Sequence, residues 1–321
     1  MPQDGRDESE ALASEVCWHY YINEMTQAEV AKALGITRLR VNQAIQKAKS
    51  LGMVKVQIES PFLARIELQE ELKNKLRLKK ALVAPANRDA YDYHVPVGAA
   101  LASYLTENLS TNQWKSIGVS WGMTLQSAIR RLPQQSRPDI EIVSMIGGTT
   151  TGASFNSFGI ASGFAERFGA NYSILAAPIY LSQNVDRDLF LAPDIFGDHF
   201  KKCETLDAAV LVAGDVSQRS YLVSTGLPKE VSPEELAACG AVGDILGRFL
   251  DINGDDIPHP LNQRTIGIEL DTLKSIPETI LAAAGRHKVG IIHAAMKRGL
   301  VNTLITDDVT AELLLENSRY P

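Results

Sequence analysis

From residue 80 onward the sequence alternates short apolar runs with amphipathic stretches of helical period, and few folds accept that pattern. Ala81–Ala84, Ser116–Val119, Ile140–Ile146, Asn171–Ala176, Ala208–Ala213, Thr265–Ile268 and Thr303–Ile305 read as strands. Pro96–Leu109, Thr124–Arg131, Ala161–Phe168, Leu236–Cys239, Lys288–Arg298 and Asp307–Asn317 read as helices, with a turn-rich segment at Gly240–Gly254. Parallel strands need a long crossover, and a helix is the usual one, so the alternation predicts a doubly wound α/β domain around a parallel sheet.

The chain has 321 residues, enough for about two domains. Its 45% hydrophobic and 22% charged content exclude wholesale disorder. No apolar run approaches the ~18–20 residues that cross a bilayer. Met1–Glu10 is acidic and polar, unlike a signal or transit peptide. Cys17, Cys203 and Cys239 are scattered with no CxxC spacing, which fits a reducing cytoplasm and excludes a disulfide framework or a structural zinc. The six histidines show neither HExxH nor a ligand-spaced cluster, so no metal and no cofactor is expected. GxxxxGK[ST] and GxGxxG after a strand are missing, and no nucleophile elbow, Cys/His pairing or acid/base pair stands out.

The net charge of −6 is unevenly spread. Residues 1–25 carry Arg6 against Asp4, Asp7, Glu8, Glu10, Glu15 and Glu24, or −5; residues 26–60 carry Lys32, Arg38, Arg40, Lys47, Lys49 and Lys55 against Glu29 and Glu59, or +4. A basic island in an acidic chain is the footprint of contact with a polyanion. The island also has the grammar of a helix-turn-helix. Leu12, Val16, Tyr20 and Tyr21 have helical spacing. Thr26-Gln-Ala-Glu29 is a capping box opening a helix that buries Ala28, Val30, Ala31 and Leu34 and stops at Gly35. Thr37 caps a second helix running to about Ser50, with Val41, Ala44, Ile45 and Ala48 as its apolar stripe. Its other face carries Arg, Asn and Gln, the side chains that pair with base edges in the major groove. Gln27, Thr37, Arg38, Arg40, Asn42, Gln43 and Lys47 are the candidate contacts to a double-stranded DNA operator. Gly52–Ile58 then reads as a short closing strand.

Pro61 ends this part. A helix follows in which Ile66, Leu68, Leu72 and Leu76 recur at helical spacing, either a connector or a dimerisation helix. The expected division is a DNA-binding domain at 1–60, a linker helix at 61–80 and an effector-binding, oligomerising domain at 81–321. Ligands of open α/β sheets sit beyond the carboxyl ends of the strands. Three loops there have suitable chemistry: Ser120-Trp-Gly-Met123-Thr124, Gly147-Gly148-Thr149, and Gly285-Arg-His-Lys288. Hydroxyls, close backbone approach, helix starts and a Lys together suggest an anion, such as the phosphate of a phosphorylated small molecule.

Nearly the whole chain resembles the SorC/DeoR family of bacterial sugar-responsive transcriptional regulators. The resemblance is carried by Tyr20–Arg38, Ile117-Gly-Val-Ser-Trp-Gly-Met-Thr124, Ile146-Gly-Gly148, Gly240-Ala-Val-Gly-Asp-Ile-Leu-Gly-Arg-Phe249 and Gly299-Leu-Val-Asn-Thr-Leu-Ile-Thr-Asp307. It implies an effector domain similar to glucosamine-phosphate deaminase and ribose-phosphate isomerase, turned from catalysis to sensing. It also implies a phosphate pocket at Ser120, Gly122, Thr124, Gly147, Gly148 and Lys288, with Asp244 and Arg248 nearer the sugar. Two departures stand out. The family's Ser-Arg-Pro-Thr-Val-Ser-Arg is Thr37-Arg-Leu-Arg-Val-Asn-Gln43 here, and its Val-Ala-Gly-Gly is Ala283-Ala-Gly285-Arg. The expected protein is a non-enzymatic, cytoplasmic homo-oligomer (dimer or tetramer) that regulates a carbohydrate catabolic operon. Its effector would be a sugar or sugar alcohol, phosphorylated on this reading. The alternative is a phosphosugar isomerase or deaminase-like enzyme.

Overall fold

The computed structural model describes residues 4–54, 63–86, 92–111, 114–150, 154–191 and 193–317, and divides into compact units at Met1–Leu63 and Ala64–Pro321.

The first unit is a small helical cluster. Helix α1 (Asp4–Cys17) runs into a π-helical turn, Trp18–Ile22, and is followed by α2 (Gln27–Leu34) and α3 (Arg38–Ser50). Local chemistry sets the boundaries. Thr26 Oγ1 accepts the Glu29 amide while the Glu29 carboxylate accepts the Thr26 amide, satisfying two amides that the helix start leaves orphaned. Gly35 ends α2 in the left-handed region at φ +66°, where a side chain is disfavoured. Thr37 Oγ1 then accepts the Arg40 amide and starts α3 only three residues after α2 stops. Val30, Ala31, Val41, Ala44, Ile45 and Ala48 pack with Ala13, Val16 and Cys17 of α1. Ala28, expected in this core, faces solvent. The strand expected at Gly52–Ile58 lies outside the described residues from position 55 onward.

In the second unit, α4 (Leu63–Lys75) leads to a seven-stranded sheet. Its strands are β1 (Lys80–Ala84), β2 (Ser116–Val119), β3 (Glu141–Ser144), β4 (Asn171–Ser173), β5 (Ala208–Leu211), β8 (Glu278–Ala282) and β9 (Thr303–Asp307). A hairpin of β6 (Gly243–Ile245) and β7 (Arg248–Leu250) stands apart. Every pairing in the large sheet is parallel, in the order β1-β9-β8-β5-β2-β3-β4. The crossovers include α5 (His94–Thr111), α6 (Met123–Ile129), α7 (Ser157–Phe168), α8 (Arg187–Phe190) and α9 (Pro193–Glu204). After these come α10 (Pro233–Ala238), α11 (Val289–Lys297) and α12 (Asp308–Asn317). From β2 the chain builds outward through β3 and β4; from β5 it builds the opposite way through β8 and β9. The direction therefore reverses between β2 and β5, and in an open α/β sheet such a reversal opens a crevice.

Three expectations are corrected. The linker stripe is not uniform: Leu72 is fully buried in the sheet's own core, Leu68 and Leu76 lean on it, and Ile66 is 53% exposed. Thr265–Ile268 is no strand; Thr265 and Gly267 make isolated bridges to Tyr180 and Ile146. Strand β8, which pairs in parallel with β5 and β9, is not among the strands read from the sequence. Its residues Thr279–Ala282 are all buried, and a strand covered on both faces shows an unbroken run instead of alternation.

Candidate effector cleft and nucleic-acid interface

The reversal between β2 and β5 is where the cleft lies. Trp121–Thr124 leave the carboxyl end of β2 and Val212–Leu222 leave that of β5. Tyr93 and His94 come from the segment after β1, His287 and Lys288 from the approach to α11, and Asp244 from the β6–β7 hairpin. Together they surround about 70 Å³ of water-accessible space, room for several waters or part of a small polyol.

Its polar lining is dense. Lys288 is buried with only 8% exposure, and its Nζ lies 5.1 Å from the centre of the Tyr93 ring. Burial pulls this ammonium down to about 8, although the Asp215 and Asp244 carboxylates act to keep it charged. Burial pushes Asp244 up to about 6, against the Gly247 amide donated to its Oδ2 at 3.0 Å and the pull of Lys288. His94 is brought down to about 4, by burial first and the Lys288 charge second, so its ring is neutral at pH 7. Its Nδ1 lies 2.9 Å from Thr124 Oγ1. Burial also lowers His287. Two polar atoms in this lining, Asp215 Oδ1 and His287 Nε2, are buried with no hydrogen-bond partner among the described residues. Buried polar atoms are rarely left so, and an orphaned pair facing a cavity calls for hydrogen-bonding groups from a ligand or water.

Of the residues expected around an effector, Gly122, Met123, Thr124, Asp244 and Lys288 converge on this cleft. Ser120 is buried, its hydroxyl likewise orphaned, but it is not part of the lining. The remaining four are placed elsewhere. The Gly147 amide donates to Ile266 O at 2.9 Å and that of Gly148 to Ala177 O at 2.8 Å, so neither amide is left for a phosphate. A Cβ on Gly147 would collide with the Pro178 and Ala177 carbonyls, so this glycine serves chain packing. Gly148 and Thr149 border a second, more open depression with Arg264, and Thr149 Oγ1 lies 3.0 Å from the Tyr221 hydroxyl. Arg248 donates to Asn262 O and Glu269 Oε1. In the hairpin, Asp244 is opposite Phe249 and Ile245 opposite Arg248, so the acid and the arginine project from opposite faces. The Gly122 amide, too, is taken by Phe155 O.

Sequence reasoning missed Tyr93, His94, Asp215 and Arg219. A signal existed for Asp215, since Gly214-Asp215 closes the loop directly after a fully buried strand. Among the described residues no group of His, Cys, Asp or Glu is arranged to hold a metal ion. Nor is any described helix long and apolar enough to cross a membrane.

In the first unit Thr37, Arg38, Arg40, Asn42 and Gln43 are exposed at the start and outer side of α3, and Gln27 is half-buried at the start of α2. Lys47 is partly withdrawn: its ammonium donates to Ser9 Oγ of α1 at 2.7 Å. α3 contains no acidic residue.

Comparison with known proteins covers both units. Residues 60–316 match the family described as "Putative sugar-binding domain". The chain is 30% identical over 321 residues to the transcriptional regulator LsrR of Escherichia coli K12, covering 99% of this chain and 98% of LsrR. It is 28% identical over 309 residues to the erythritol catabolism regulatory protein EryD of Brucella abortus, covering 96% and 98%. The full-length sorbitol operon regulator SorC of Klebsiella pneumoniae superposes with a TM-score of 0.72 at 27% identity, covering 96% of this chain and 99% of that one.

Proposed function

The chain belongs to the SorC/DeoR-type sugar-binding transcriptional regulators, and on that premise we propose that it binds an operator of a carbohydrate catabolic operon and responds to a sugar-derived effector. The observation that carries the sensing half is the cleft, where Lys288 is buried with Asp215 and Asp244 and two polar atoms lack partners. Hydroxyl groups suit two buried carboxylates and neutral imidazoles. A phosphoryl group suits Lys288 and Arg219, which line the same space. A phosphorylated sugar or sugar alcohol satisfies both, with its anion anchored by those cations instead of by Gly147 and Gly148. The DNA-reading half is supported by α2 and α3, a helix-turn-helix in its caps, turn and polar outer face. One such unit has limited affinity, so the working form is a symmetric dimer or tetramer in the cytoplasm.

A second reading, a phosphosugar isomerase or deaminase-like enzyme, is favoured by the gathering of His94, Asp244 and Lys288, since shifted titrations in a cleft also mark acid/base sites. One experiment separates the two. The full chain is incubated with free and phosphorylated pentoses, hexoses and polyols while thermal unfolding and product formation are followed. A sensor is stabilised by about 2.7 kcal/mol at 100 times Kd without turnover. Turnover favours the enzyme, and stabilisation only by uncharged polyols removes the phosphate from the account.

A further inference from the structure

We propose that Leu39 is a specificity-determining contact that reads the C5 methyl group of a thymine, with Arg38 and Arg40 serving the phosphate strands on either side. The inference rests on the DNA-binding reading above and redistributes roles within it. A lone exposed leucine is ordinary; its position and its neighbours decide this case. Val41, Ala44, Ile45 and Ala48 form the buried arc of α3. At 3.6 residues per turn the opposite arc is Leu39, Gln43 and Gln46, with Asn42 beside it, and all four are exposed. Leu39 therefore stands at the middle of the outward face, 67% exposed, where a groove-binding helix meets base edges. Arg38 and Arg40, its chain neighbours, lie about 100° to either side, toward the walls of a groove.

The chemistry agrees with the geometry. The face is flanked by cations, its helix has no acid, and its remaining central side chains are amides that suit adenine. Within such a groove the apolar feature a leucine can meet is the thymine methyl. The cap fixes the placement: Thr37 Oγ1 holds the Arg40 amide, so Leu39 sits in the first turn, the end of a recognition helix that reaches the bases.

The test removes one methyl at a time. A binding sequence is selected from a randomised duplex pool with the full chain, and each thymine is replaced in turn by deoxyuridine, which lacks only the C5 methyl. The wild type should lose about fourfold in affinity at one thymine per half-site, the equivalent of a buried methyl at ~0.8 kcal/mol. Leu39→Ala should bind the thymine and deoxyuridine duplexes equally. Arg38→Ala should bind both more weakly, keep the difference between them, and lower the salt slope by about one. A wild type indifferent to every replacement, or a Leu39→Ala variant that still discriminates, overturns the proposal and leaves DNA binding intact. A Leu39→Ala variant whose assembly mass falls while discrimination persists makes the residue a contact between copies. Failure to select any sequence contradicts the DNA-binding reading itself, and this proposal with it.

Discussion

Asp244 closes over Gly214: its Oδ1 occupies the space that a Cβ on residue 214 would need. The two main chains exchange hydrogen bonds, Gly214 N to Asp244 O at 3.1 Å and Asp244 N to Gly214 O at 2.8 Å. The hairpin is thus stitched to the end of β5, and a carboxylate from one element is held over the loop of another. Gly214→Ala should push the carboxylate out of the cleft and cost about 1–3 kcal/mol, as an overpacked methyl does. Stabilisation by the effector should disappear while operator affinity stays, both read by thermal unfolding and fluorescence anisotropy. An unchanged effector shift would show that Asp244 is not part of the binding surface.

Asp244 and Lys288 also set a pH window. The folded state holds the Asp244 proton more tightly than the unfolded chain does. Its contribution to stability therefore falls as pH rises from the ordinary carboxylate range through about 6. The folded state gives up the Lys288 proton more easily than the unfolded chain, so the cost of burying that charge is relieved as pH rises through about 8. Both groups are charged between these values. Calorimetric titration of the stabilising sugar should therefore show its tightest binding between pH about 6 and 8, and Asp244→Asn should flatten the acid side. A wild-type profile that is level from pH 5 to 9 contradicts the pair's role.

How far the sequence discloses this protein depends on the range of each signal. Thr26, Glu29, Gly35 and Thr37 each act on a partner no more than four residues away, so α2 and α3 can be read directly from them. The strand–helix alternation likewise yields the parallel sheet. The cleft is a different matter, because His94, Asp215 and Lys288 meet only when β1, β5 and β8 have been laid into one sheet. A glycine that admits a ligand and one that admits another backbone look alike in sequence; at Gly147 the Pro178 carbonyl shows which it is. Arg248 is misread for a further reason. It lies four residues from Asp244, but a hairpin turn between them puts the side chains on opposite faces.

Two leucine-helix positions should behave very differently. Leu72→Ala empties a fully buried site and should cost about 2–5 kcal/mol in denaturant unfolding of the second unit. Ile66→Ala, at a largely exposed position, should change stability by no more than about 0.5 kcal/mol. Equal effects would mean that α4 is not held by the sheet's core.

Thr37→Ala removes the side-chain acceptor at the start of α3 and should cost about 1 kcal/mol in the first unit, with Ser largely restoring it. Operator affinity should fall with the cap, since the proposed contacts Arg38, Leu39 and Arg40 lie in the turn it fixes. Amide exchange along Arg38–Val41 reports the change; unaltered protection there would contradict the cap's role.

The central claim is that a sugar-derived molecule held at Lys288 alters what the first unit does with DNA. The direct measurement is operator binding by the full chain and by Lys288→Met, each titrated with the sugar or sugar phosphate that stabilises the wild type. The account predicts that operator affinity of the wild type changes with ligand, and that the variant binds the same operator with its ligand response lost. A variant that answers the ligand at the wild-type concentration, or a wild type whose operator affinity is indifferent to a ligand that stabilises it, would contradict it.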